Sequence, residues 1–145
     1  MLRALLTVII TATLSLAAHA EQKLQVGKYA IHYVTFGSTF LTPEIAKSYG
    51  IERSRYTGLV NISVIDTSQP GSMPTAVAAA LSGNARDLTG INKALEFREI
   101  REGDAIYYIA ELSHRNEETY QFKIDINNQS DLNTTLTFKQ KFYVD

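Results

Sequence analysis

Residues 119–127 read TYQFKIDIN, with Tyr120, Phe122, Ile124 and Ile126 alternating against Gln121, Lys123, Asp125 and Asn127. A backbone that turns successive side chains to opposite faces sends the first set into a core and the second into water. On a helix the same apolar residues would be scattered around the axis. Three neighbouring runs, 94–101, 105–114 and 132–144, share this β-branched and aromatic character. Short polar links separate them: Glu102-Gly103-Asp104, Arg115-Asn116-Glu117-Glu118 and Asn128-Gln129-Ser130-Asp131. Links this short join antiparallel strands, because parallel ones need crossovers of a dozen residues or more.

Towards the N-terminus, residues 24–36 (LQVGKYAIHYVTF) read as one strand. Tyr29, Ile31 and Tyr33 fall on one side and Ala30, His32, Val34 and Phe36 on the other. Both sides are apolar, as expected of a strand covered on both faces, and Gly27 marks a bulge or kink within it. Residues 58–66 (GLVNISVID) form a further strand, and 67–72 (TSQPGS) a loop. Residues 74–88 (PTAVAAALSGNARDL) are ambiguous: the alanines favour a helix, whereas Val77, Ala79 and Leu81 alternate as in a strand. One helix is clearly signalled between residues 42 and 50. Thr42 supplies an N-cap hydroxyl, Pro43 a first helical position, Glu44 an acid in the first turn and Gly50 a left-handed stop. Ile45 and Tyr49, four apart, are placed on its buried face. Six or seven strands in one short chain predict an all-β fold, an antiparallel two-sheet sandwich of the immunoglobulin-like kind, with one short helix in a crossover.

The first twenty residues have another character. Arg3 precedes an uncharged run of about 13 residues, 4–16, and Ala18-His19-Ala20 offers a small-x-small cleavage site before Glu21. The run falls short of the roughly 20 residues that span a bilayer. Residues 1–20 are therefore read as a signal peptide and 21–145 as a single β-sandwich domain, located in the periplasm and without a membrane anchor in the mature form. Cysteine is absent, which removes disulfides, thiolate metal sites and lipid attachment at the cut. A formal net charge of −1 argues against a nucleic-acid partner or a polybasic membrane surface.

Two longer signatures carry a family resemblance. FGSTFLTPEIAKSYGIERS (36–54) followed by GLVNI (58–62), and LEFREIREGDAIYYIA (95–110), resemble the domain-of-unknown-function 4426 family, small exported proteins of Gram-negative bacteria. The resemblance implies a periplasmic location and tips residues 74–88 towards strand. It implies no activity.

The chemistry on offer is sparse. His32 and His114 are the histidines beyond the leader, and no GxSxG, SxxK, HExxH or glycine-rich phosphate loop occurs. Glu96, Glu99, Glu102, Asp104, Glu111, Glu117 and Glu118 are interleaved with Arg98, Arg101 and Arg115, the pattern of a solvated face. Asp125, Asn127, Gln129 and Asp131 resemble a calcium loop only faintly, since Ser130 and Leu136 stand where glycine and glutamate are required. The sequence thus assigns no catalytic residue, cofactor or metal ligand. Its candidate binding surface is Phe40, Thr42, Glu44, Tyr49, Arg53 and Arg55 in the helical segment, together with His32. The same segment could instead plug one open end of the sandwich, with Phe40, Ile45 and Tyr49 as core. The function expected is a non-catalytic binding or protein-interaction module whose partner is an envelope protein. The alternative is a small envelope hydrolase acting on glycans or peptides, using His32 and acids of the 99–104 region. A small-ligand carrier is a third reading, and it requires a cavity between the sheets.

Overall fold

The alternation that opens the sequence reading produces the most deeply buried strand of the protein. In the computed structural model, which describes residues 22–144, Tyr120, Phe122, Ile124 and Ile126 are all 0% exposed. The leader read at residues 1–20 and the cleavage point at Glu21 lie outside the described residues. Within them the chain forms β1 (Gln22–Val26), β2 (Tyr29–Gly37), α1 (Pro43–Ser48), β3 (Thr57–Asp66), β4 (Thr75–Ala76), β5 (Ala80–Asp87), β6 (Asn92–Leu95), β7 (Arg98–Glu102), β8 (Ala105–Ser113), β9 (Glu118–Asn127) and β10 (Asn133–Phe142).

Every strand pairing is antiparallel. The first sheet has the order β1-β2-β3-β8-β7, with β4 added beside β3, and the second has the order β10-β9-β5-β6. Their inner faces enclose one core. Ile31, Val60, Ile62, Val64 and Ala110 from the first sheet meet Phe122, Ile124, Ile126 and Leu136 from the second. Aromatic rings bridge the layers: Tyr33 of β2 stacks on Phe138 of β10 at 4.7 Å, and Phe138 stacks on Phe122 at 4.6 Å. Gly83 lets β5 run close beside β9, because a Cβ there would lie 2.5 Å from the Lys123 carbonyl oxygen.

Residues 74–88 are extended, through β4 and β5, as the resemblance implies. Two of the expected single strands are in fact pairs. Residues 24–36 break at Gly27 (φ +56) into the β1–β2 hairpin, with Val26 opposite Tyr29. The glycine is the first central residue of a two-residue turn, not a bulge. The stretch 94–101 divides at Glu96 and Phe97, where the chain leaves the second sheet after β6 and joins the first as β7.

The helical segment also departs from expectation. It links β2 to β3, hydrogen-bonded neighbours in one sheet, and lies over that sheet's outer face instead of plugging an end. Ile51 packs there against Leu59 and Ile109, the outward residues of β3 and β8, with Phe36, Leu41 and Tyr49 around them. Ala46 is the buried residue of α1, whereas Ile45 is 42% exposed and Phe40 83% exposed. A small side chain lets a two-turn helix lie close on the sheet. The larger Ile45 therefore faces away.

Candidate functional site

The β2–β3 connection, residues 38–56, is fastened at several points. At the helix start, Thr42 Oγ1 accepts from the Ile45 amide at 3.2 Å, with Pro43 and Glu44 following. This satisfies one of the donors that a helix N-terminus leaves over. At the helix end, the Arg98 guanidinium of β7 donates to the carbonyls of Tyr49 and Gly50 at 3.0 and 2.5 Å, and to Glu111 Oε2 at 2.6 Å. A cation at the C-terminal carbonyls also complements the helix dipole. The Tyr49 hydroxyl donates to Glu102, and this bond, with burial second, pushes its pKa up to about 12.

The base of the connection is closed by Ser38. Its buried hydroxyl donates to the Ser54 carbonyl at 2.8 Å and accepts from the Ser54 amide at 2.9 Å. Arg53 donates to the Thr39 carbonyl at 3.0 Å, stiffening the same loop from outside.

These bonds place the expected site residues unequally. Phe40, Thr42, Glu44, Arg53 and Arg55 are each exposed along the connection, and Tyr49 is half-buried. Thr42 is occupied as a cap. Arg55 lies 5.7 Å from the ring centroid of Tyr56, which is itself 53% exposed. Between helix and loop runs an open cleft of about 440 Å³, lined by Pro43, Ala46, Lys47, Ile51, Glu52 and Arg53. His32 stands apart. It is half-buried on the outer side of β2, opposite Ser63, four residues before the Phe36 that packs under the connection.

The sequence reading missed Arg98, Lys47 and the exposure of Ile45. Arg98 and Glu102 belong to the second signature and Tyr49 and Gly50 to the first, so the two signatures meet at this clamp. The alternation REIRE across 98–102 was the available signal, since it puts Arg98 and Glu102 on one face.

The acids do not converge. Glu99 accepts from the Tyr108 hydroxyl at 3.0 Å, Glu102 faces Tyr49 and Glu111 faces Arg98. Asp125 is bonded by Thr135, while Asp131 accepts from Tyr29, Asn128 and Lys28, bonds that hold its carboxyl well below the usual carboxylate range. His114 is buried, with Nδ1 2.8 Å from the Arg115 carbonyl and its ring stacked on Phe142. Among the described residues no three His, Cys, Asp or Glu side chains are grouped to hold a metal ion.

The family model for the domain of unknown function DUF4426 matches residues 23–145. The chain belongs to the DUF4426 family. A crystal structure of a DUF4426 family protein from Pseudomonas aeruginosa PAO1 is 33% identical to it, with a TM-score of 0.74 over 86% of this chain and 96% of that one. FetP of uropathogenic Escherichia coli strain F11, recombinantly expressed in the periplasm, is 10% identical, with a TM-score of 0.57 over 84% of this chain and 93% of FetP. A copper-bound variant of the same FetP gives 0.52 at 10% identity, over 85% and 89% of the two chains. At that identity the likeness to FetP is one of fold. None of the curated proteins matches this DUF4426 chain significantly.

Proposed function

We propose that this DUF4426 protein is an exported, periplasmic binding module without catalytic machinery, and that its β2–β3 connection docks on another envelope protein. The observation that carries this reading is Phe40, a large aromatic side chain 83% exposed on a loop braced just before it by Ser38–Ser54 and Arg53–Thr39 bonds. An aromatic residue held rigidly in water makes a good anchor, because little conformational freedom remains to be lost on binding. The same connection also exposes Ile45, Lys47, Arg53, Arg55 and Tyr56, adding apolar surface and positive charge.

Export is supported by the leader-like residues 1–20 and agrees with the absence, among the described residues, of a helix long and apolar enough to cross a membrane. Mass spectrometry of the envelope form is expected to find Glu21 at its N-terminus; an intact Met1 would refute the export reading. The copper of the FetP variant is not carried over, because no suitable set of ligands is gathered in the described residues. The hydrolase alternative joins His32 to acids of the 99–104 region, and β3 and β8 lie between its strand and β7.

The docking test uses a photo-reactive residue placed at position 40, and in a control at position 104, in living cells. A discrete adduct at 40 that weakens in an Arg53→Ala, Arg55→Ala background is expected. Equal and diffuse labelling at the two positions would sink the proposal.

A further inference from the structure

The outer face of the second sheet gathers cations that lie far apart in the chain. Arg86 of β5, Gln121 of β9 and Lys139 of β10 form one row across three strands. Asn84, Lys123 and Thr137 form the next row, and Lys141 lies opposite Thr119. Asp125, the acid among the outward positions of these strands, is engaged by Thr135 at 2.7 Å. Arg86, Lys123 and Lys139 are exposed and form no ion pair among the described residues. Shallow clefts of about 330 and 240 Å³ run between these side chains.

Apolar side chains project at one rim of the same face. Leu88, in the β5–β6 turn, is 80% exposed, and Tyr143, just after β10, is 59% exposed. Leu88 lines a cleft with Arg86 and Lys139, and Lys141 Nζ lies 5.5 Å from the Tyr143 ring centroid. The turn is braced: Asp87 Oδ1 accepts from the Thr89 amide, the Thr89 hydroxyl and the Ile91 amide at 2.9, 2.7 and 2.9 Å. Asp87 is thereby committed to the turn. Of the acids in the neighbouring β8–β9 turn, Glu118 is taken up by the Tyr120 hydroxyl and Glu117 is exposed.

Cations spread over a sheet face, with braced apolar side chains at its rim, match a bilayer on two counts. Anionic headgroups attract each lysine or arginine, and the acyl boundary accepts the apolar tips. A soluble polyanion would use the cations and leave Leu88 and Tyr143 idle. We propose that this face docks the protein on an anionic phospholipid surface, with Arg86, Lys123, Lys139 and Lys141 over the headgroups and Leu88 and Tyr143 entering the interface. The proposal is independent of the β2–β3 connection, which occupies the outer face of the other sheet.

The test is flotation of the chain from residue 21 onward, which carries the whole described fold, with vesicles of phosphatidylcholine alone or mixed equally with phosphatidylglycerol. Binding to the mixed vesicles alone, weakening as salt rises, is expected. Lys123→Gln with Lys139→Gln should lower partitioning on the order of 30-fold, from roughly fivefold per cation. Leu88→Ser with Tyr143→Ser should also lower it, while leaving retention on immobilised inorganic polyphosphate unchanged. Thermal unfolding of each variant confirms that the fold is intact. Equal binding to both vesicle types overturns the proposal. So does vesicle binding lost with the lysines but untouched by the Leu88 and Tyr143 changes, which would assign the face to a soluble polyanion.

Discussion

Replacing Arg98 by methionine keeps an unbranched apolar stem and removes the hydrogen bonds to Tyr49, Gly50 and Glu111. Hydrogen bonds to a charged group contribute about 1.5–3 kcal/mol each when well buried. Here the Arg98 and Glu111 side chains are 43% and 33% exposed, so solvent screening reduces the whole clamp to about 1–2 kcal/mol. That energy belongs to the connection and not to the sandwich core, because α1 touches the sheet through Ala46 and the small cluster around Ile51. Amide hydrogen exchange reads this directly. The amides of Ala46, Tyr49, Gly50 and Ile51, each bonded within the connection, should exchange roughly 5–30 times faster in Arg98→Met. Amides of β9 should be unchanged. Uniform acceleration throughout the chain, or none in the connection, would refute the view that the clamp acts locally.

Other perturbations test other levels of the structure. Gly83→Ala would push a methyl group to within 2.5 Å of the Lys123 carbonyl oxygen and 2.9 Å of Ile124 Cα. Urea denaturation should show a loss of about 1–3 kcal/mol, and an unchanged midpoint would contradict this close approach of β5 to β9. Phe122→Ala, which removes a ring 0% exposed between the sheets, should cost about 3–5 kcal/mol in the same assay, and a cost below about 1 kcal/mol would place Phe122 outside the core. On the acid side, the Asp131 carboxyl is held below its ordinary 3.8, first by the Tyr29 hydroxyl and then by Asn128. Its contribution to stability is therefore present above about pH 4 and lost as the pH falls below it. Asp131→Asn should flatten the acid limb of the stability profile, and a limb as steep as in the wild type would show that Asp131 does not set it. Phe40→Ala, by contrast, should leave the unfolding midpoint within about 0.5 kcal/mol of wild type, because that ring has little protein around it.

How much was legible in the sequence depended on whether the signal was local. The alternation of β9 and the Thr42-Pro43 cap are decided by neighbours in the chain, and both are found where the residues put them. Gly27 was misjudged although a parity change stood beside it. Leu24 and Val26 occupy even positions and Tyr29 and Ile31 odd ones, yet all four face the core, which a two-residue turn achieves and a continuous strand does not. The break at Glu96 and Phe97 is harder, since a chain that changes sheets keeps its strand-like composition on both sides. Ile45 was misplaced because periodicity marks large apolar residues as buried, and here the small Ala46 takes the buried position. The clamp joins residues about fifty positions apart, and the cations of the second sheet are balanced by acids elsewhere in a chain of net charge −1. Neither can be seen until the strands are in register.

The strand order has a consequence for when the fold can form. β3 is paired in its first half by β8, and β5 is paired along its length by β9, so both sheets draw their central partners from opposite halves of the chain. A chain released only as far as Asp87 can close the β1–β2 and β2–β3 ladders, but the second sheet does not yet exist. Such non-local closure is slow, on the order of milliseconds to seconds for all-β domains. The polypeptide therefore stays open until nearly its full length has arrived, the condition in which it can be threaded end-first through a narrow channel.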